Sequence, residues 1–191
     1  CYHRMKNYAQ ARFHYKKAVH LNPDDSRLYQ KMAATYMQEG QWEQAIKQLE
    51  HALRIHKHIN EYNILLGECY MNLNMFKEAA AYFGTVVKNK PKQIAGWEYL
   101  IKCLVANNQL DDALEQTEIA YLSTQGRIIF IFYRSAILHK MGKLAEGLLQ
   151  LEMALSKSSK LVSKLLKFYP EMMQDTKVAE LIAQYKKRKL S

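Results

Sequence analysis

Residues 62–91, YNILLGECYMNLNMFKEAAAYFGTVVKNKP, form the stretch that the rest of the 191-residue chain copies. A shift of 34 positions in either direction meets the same residue types. Ala11, Ala45, Ala79, Ala113 and Gly147 share one slot, and Tyr15, Leu49, Phe83, Thr117 and Leu151 share a second. Ala18, Ala52, Val86, Ala120 and Ala154 make a third. Three slots agreeing over five copies is a far more specific signal than any single short motif. A fixed period of roughly 20–50 residues marks an array in which each unit buries its apolar face against its neighbours.

Within the quoted stretch, Leu66-Gly67-x2-Tyr70 is followed by Ala79-x3-Phe83 and then by Pro91. This spacing resembles the second half of the tetratricopeptide-repeat (TPR) pattern. The resemblance implies an all-α fold: a right-handed TPR solenoid of antiparallel helix pairs with C-terminal capping helices. The period then divides the chain into a partial repeat over 1–25, three repeats over 26–59, 60–93 and 94–127, and a divergent one over 128–161. Capping helices are expected over 162–191. Tyr2 stands 34 before Tyr36, late in a first helix whose opening turns are missing, so the natural chain is expected to extend N-terminally.

Each full unit reads as two amphipathic helices. Leu28, Tyr29, Met32 and Tyr36 recur at the three-and-four spacing of one helix face, and Trp42, Ala45, Ile46, Leu49 and Leu53 repeat it in the second helix. Asp25 or Ser26, after Asn22-Pro23, is expected to cap the first helix, and Gly40 to end it in a left-handed turn. Later copies erode: Ile101 replaces a small residue, Leu104 a tyrosine, and Arg134 a leucine, which leaves that helix's register open by about one residue. The run Ile128–Tyr133, IIFIFY, has the β-propensity of a strand, but its place in the period makes it helical. Beyond Ser156, Leu161, Leu165, Leu166 and Phe168 still form a helix face that Pro170 ends. Asp175 is expected to cap a last helix carrying Val178, Leu181, Ile182 and Tyr185 and running toward Lys186-Lys187-Arg188-Lys189.

The formal net charge is +10. Residues 1–24 carry five basic and one acidic side chain, residues 156–191 nine and three, and the middle 14 of each. A nucleic-acid track would run along the repeats, so an excess confined to the ends speaks against nucleic acid as partner. No run approaches the roughly 18 apolar residues of a membrane span. Cys1, Cys69 and Cys103 occupy one slot of the period. Equivalent slots lie two helix-packing distances of about 8–10 Å apart, beyond the roughly 7 Å reach of a disulfide. Free buried thiols fit a reducing, cytoplasmic compartment.

No catalytic constellation assembles, and neither an enzyme activity nor a cofactor is expected. Met141-Gly142-Lys143 lacks the earlier Gly and the hydroxyl residue of a phosphate loop, since Leu144 follows. His51, His56 and His58 cluster without a Cys or carboxylate at a metal-ligand spacing. Asp111-Asp112 suits the positive end of a helix dipole better than acid–base chemistry. The resemblance adds two tests. The carboxylate-clamp members of the family use Lys, Asn and Arg where this chain has Gln30, Ala34, Leu65, Ala95 and Tyr99, and the asparagine-ladder members use Asn where it has Lys31, Leu65, Tyr99 and Tyr133. Both fail.

What remains is a protein-interaction scaffold that takes a peptide or helix from another protein. A basic nucleic-acid-binding module, or the regulatory part of a larger enzyme, is the alternative. Assigning slots by the period puts Tyr99, Lys102, Phe132, Tyr133 and His139 on the groove side of the last two full units, with Glu98 and Lys140 beside them. The earlier units offer Arg27, Gln30, Lys31, Glu61, Leu65 and Glu68. An aromatic floor with a mixed-charge rim suits apolar anchors on a partner. The competing placement packs Tyr99, Phe132 and Tyr133 between repeats, and accessible surface decides between the two.

Overall fold

Four left-handed residues punctuate the chain at one place in the period: Gly40 (φ 70°), Asn74 (φ 58°), Asn108 (φ 59°) and Gly142 (φ 78°). After each, the next backbone N–H reaches back five residues: Gln41 to Tyr36 at 2.9 Å, Met75 to Tyr70 at 2.9 Å, Gln109 to Leu104 at 2.8 Å and Lys143 to Leu138 at 2.9 Å. These are Schellman closures, which satisfy carbonyls that a helix end otherwise leaves bare. Glycine adopts the conformation freely and asparagine is among the few other residues that do so routinely. The sequence therefore writes the same turn in two spellings.

The structure is a computed structural model and describes residues 7–187. The expected first-helix remnant, Cys1 and the terminal Arg188-Lys189 lie outside the described residues. The helices are α1 (Tyr8–Leu21), α2 (Ser26–Gln38), α3 (Trp42–Ile55), α4 (Asn60–Asn72), α5 (Phe76–Asn89), α6 (Ile94–Ala106), α7 (Leu110–Ser123), α8 (Ile129–Lys140), α9 (Leu144–Lys157), α10 (Val162–Phe168) and α11 (Thr176–Lys187). Short 3₁₀ turns cover Ser159–Leu161 and Pro170–Gln174. No strand occurs among the described residues, and IIFIFY is helical from its second residue, Ile129. None of these helices is long and apolar enough to cross a membrane.

The chain divides into two compact units, Cys1–Asn89 and Lys90–Ser191. In the first, α2 pairs with α3 and α4 with α5, while α3 also meets α4. Ala33, Ala45, Ile46, Leu49, Leu66 and Cys69 form a buried cluster there, and Tyr29, Met32, Ala52 and Tyr62 form another. Gly67 shows how tightly a pair closes: a Cβ built on it would lie 2.6 Å from the Phe83 ring, so α4 and α5 meet on a backbone that has no room for a side chain. Asp25 rather than Ser26 caps α2, its Oδ1 accepting from Arg27 N at 3.0 Å.

In the second unit α6 pairs with α7 and α8 with α9. The small and large slots exchange here: Ile101 fills the position of Gly67, and Thr117 that of Phe83, both buried. The shorter side chain in one slot compensates the longer one in the other, which conserves volume across the pair. Ser135 Oγ donates to Gly147 O at 2.7 Å, fixing α8 on α9. Arg134 keeps its place in the period, and its half-exposed guanidinium pairs with Glu118 of α7. The α7–α8 turn departs from the other second-to-first-helix turns. Where α3 and α9 end in extended residues, His56 and Ser158, α7 ends in a further Schellman closure with Gln125 (φ 60°) and Gly126 (φ 77°) both left-handed. Beyond α9, α10 packs on α8 and α11 on α9, with Val162, Leu165, Met172, Val178 and Ile182 buried.

Candidate functional site

In the first unit, α2 and α4 lie side by side, joined on their polar face by Gln30 Nε2, which donates to Glu61 Oε1 at 2.7 Å. Lys31 stands exposed next to this bridge and Glu68 is half-buried on α4. Leu65 packs against the core cluster and so lends little apolar surface to this face.

The second unit uses a carboxylate in the same manner. Glu98 of α6 accepts from Tyr133 Oη of α8 at 3.0 Å and from Lys164 Nζ of α10 at 3.4 Å. Beside it the Lys102 ammonium lies 5.8 Å from the centroid of the half-buried Tyr99 ring, within cation–π range. Tyr99 and Lys102 thus share one accessible helix face.

Phe132 and Tyr133 do not join them. Phe132 is 0% and Tyr133 2% exposed, so neither serves as a floor for a partner. The Phe168 ring lies 4.4 Å from that of Tyr133, because α10 covers this side of α8. Burial pushes the Tyr133 phenol well above its ordinary value, and the neighbouring Glu98 carboxylate adds to the shift. His139 is engaged in the same way: its Nε2 lies 3.2 Å from Asp175 Oδ2 and its ring 5.9 Å from Tyr169. The packing alternative therefore holds for Phe132 and Tyr133, and His139 serves the junction with the C-terminal segment.

Asp175 does double duty. Its Oδ1 accepts from Lys177 N at 2.9 Å and Val178 N at 3.5 Å, capping α11, while Oδ2 faces His139. Desolvation pulls its carboxyl upward, but the bonds from His139, Lys177 and Val178 outweigh that and leave it below its ordinary value. The sequence reading missed the Glu98 and His139 junctions. The signal was present in the separations: Gln30–Glu61, Tyr133–Glu98 and His139–Asp175 are 31, 35 and 36 residues apart, one period give or take a few.

Ser26 and His56 of the first unit hold helix ends together. Tyr62 Oη donates to Ser26 Oγ at 2.8 Å, and Ser26 Oγ lies 2.9 Å from His56 Nδ1. A serine beside a histidine suggests a nucleophile, but Ser26 is 2% exposed and its oxygen already accepts a hydrogen bond from Tyr62. One repeat later Asn89 Nδ2 donates to Asn60 Oδ1 at 2.7 Å. The His51 ring lies against that of Tyr29, centroids 4.2 Å apart and planes tilted by 46°. No group of three His, Cys, Asp or Glu side chains placed to hold a metal occurs among the described residues. Cys69 and Cys103 are buried free thiols, pushed up by desolvation to about 12 and about 11.

Two family models described as tetratricopeptide repeat match the sequence, one over residues 2–62 and one over 61–93. No curated protein matches it. Among solved structures, the chain resembles YrrB, a TPR protein with an unusual peptide-binding site, at 19% identity and a TM-score of 0.67, covering 97% of this chain and 87% of that one. It also resembles the MamA protein at 18% identity and a TM-score of 0.71, over 85% of this chain and 88% of that one. A MamA from Desulfovibrio magneticus RS-1 is 13% identical with a TM-score of 0.67, over 81% and 88% of the two chains.

Proposed function

This chain is a tetratricopeptide-repeat protein, and on that premise we propose that it is a non-catalytic scaffold that takes a peptide or helix of another protein on the exposed faces of its first helices. The observation that carries this reading is the arrangement around Glu61 and Glu98. In each unit a carboxylate bonds adjacent first helices edge to edge and leaves cationic and aromatic side chains accessible beside it: Lys31 in the first unit, Tyr99 and Lys102 in the second. Backbone helices held at fixed spacing present such residues with little ordering cost on binding. Tyr99 supplies the aromatic anchor, Lys102 a cation at its rim, and Lys31 and Glu68 the polar contacts of the first unit. The similarity to YrrB, itself a peptide-binding TPR protein, supports this class of partner. The buried thiols support a reducing, cytoplasmic setting.

The test is affinity capture from the native host by the immobilised chain and by a Tyr99→Ala/Lys102→Ala variant, with bound proteins identified by mass spectrometry. A specific partner is expected to weaken by roughly 1–3 kcal/mol in the variant while helicity and melting stay the same. Equal capture by both proteins would remove the first-helix face from consideration.

A further inference from the structure

We propose that an edge cleft in the second unit docks an acidic peptide segment bearing apolar side chains, at a place distinct from the Tyr99 face and independent of the reading above. The cleft has a volume of about 510 Å³ and is bounded by the starts of α6 and α8, the α7–α8 turn and the α9–α10 junction. Its apolar surface comes from Ile94, Ile128 and Leu161, all half-buried, and its charge from Arg127 and Lys164.

The period explains why the cleft exists. Ser26, Asn60, Ile94 and Ile128 occupy one slot at the first turn of successive first helices. In the first unit that slot is closed by hydrogen bonds, Ser26 to His56 and Asn60 to Asn89. In the second unit two isoleucines stand there, which cannot make such a bond to the end of the helix that follows. The Gln125-Gly126 turn carries the chain around on left-handed residues at the same place. The result is apolar surface open to solvent where the earlier repeats have a polar closure.

Charge selects the occupant. Arg127 is exposed and has no ion-pair partner among the described residues. Lys164 is 53% exposed on its side chain and, among the described residues, pairs with the Glu98 carboxylate alone, at 3.4 Å. Lys160 is exposed one residue from Leu161, and no carboxylate stands among the described residues that line the cleft, Glu98 reaching only its edge through Lys164. Two to three cations around three aliphatic side chains match a segment that alternates acidic and aliphatic residues, with guanidinium–carboxylate bonds at the rim and desolvated side chains inside. A bare polyanion would leave the isoleucines unused.

Fluorescence anisotropy on the full chain tests this with a short labelled peptide of alternating glutamate and leucine. Glutamine–leucine and all-glutamate peptides of the same length serve as comparisons, as does an oligothymidine. The Glu–Leu peptide is expected to bind about tenfold more tightly than any of the other three. Arg127→Glu and, separately, Ile128→Ser should each weaken it about fivefold or more, Arg127→Lys should retain most of the affinity, and Lys47→Glu on α3 should change nothing. Circular dichroism on each variant confirms an intact fold. Equal binding of all-glutamate or oligothymidine, no binding of the Glu–Leu peptide, or an unaffected Arg127→Glu would each overturn the proposal. If affinity were lost in Tyr99→Ala and kept in Arg127→Glu, the peptide would sit on the α6 face, so this site would fall while the earlier reading stood.

Discussion

The two compact units answer the same structural question with opposite chemistry. Where a second helix hands over to the next first helix, the first unit ties the ends with Tyr62–Ser26–His56 and Asn60–Asn89, whereas the second relies on Ile94, Ile128 and a left-handed Gln125-Gly126 turn. Inside the helix pairs the exchange runs the other way: the first unit packs Gly67 under Phe83, and the second puts its bulk on Ile101 with Thr117 in the facing slot. The difference teaches that the period fixes where contacts are made and leaves their chemistry free. Each unit can therefore be perturbed through contacts that the other lacks.

The largest effect is expected in the second unit. Tyr133→Ala removes a buried ring from between α8 and α10 and takes one hydrogen-bond donor from the Glu98 carboxylate, at a cost of about 3–5 kcal/mol. Hydrogen exchange followed by mass spectrometry should show protection lost in α8–α11 and kept in α2–α5; uniform loss would mean that the units do not respond separately. Next comes Gly67→Leu in the first unit, at about 1–3 kcal/mol or somewhat more, since even its Cβ would collide with Phe83. A Gly67→Leu/Phe83→Ala double variant should recover part of this loss in denaturant titrations. If the single variant melted at or above the parent temperature, the close approach of α4 and α5 would be wrong.

Tyr62→Phe probes the polar closure that only the first unit has. It removes one donor from Ser26 and should cost about 0.5–1.5 kcal/mol, with the Ser26–His56 contact retained. A neutral result would show that the hydroxyl chain adds no stability.

The smallest effect concerns acid. Asp175 has a folded-state pKa below its ordinary value of 3.8, so the ionised carboxylate stabilises the fold above that value. This contribution is lost as pH falls below 3.8 through the lower folded-state value. Asp175→Asn keeps an α11 cap but abolishes this titration, so its melting temperature should fall less steeply than the parent's on acidification. Parallel curves would show that other carboxylates govern the acid limb.

Much of this was legible in the amino-acid sequence, because a 34-residue period constrains every copy at once. The helix pairs, the Gly40 turn, a cap at Asp25 or Ser26 and the helical nature of IIFIFY from Ile129 onward follow from it. Asn74 and Asn108 did not announce their left-handed turns, since asparagine is equally at home in ordinary turn conformations. The aromatic floor failed for a clearer reason. From Ile129 to Leu138 α8 is buried on almost every side, so no periodicity separates the side facing a neighbouring helix from a side facing solvent. What covers Tyr133 and His139 is the stretch Phe168–Asp175, which has left the repeat and so carries no slot information. The edge cleft escaped notice because it arises from a slot whose residues change class, from Ser26 and Asn60 to Ile94 and Ile128.

Cys69 and Cys103 give the molecule a pair of internal clocks. Both are fully buried, one in each unit, and desolvation lifts them to about 12 and about 11, so neither supplies thiolate to a reagent while its unit stays closed. A thiol-specific label added in excess would then be consumed at the pace of structural opening. Peptide mapping would assign each modification to its cysteine. Two time courses recorded in one tube, without any engineered probe, would report how often the surroundings of α4 and of α6 come apart under native conditions.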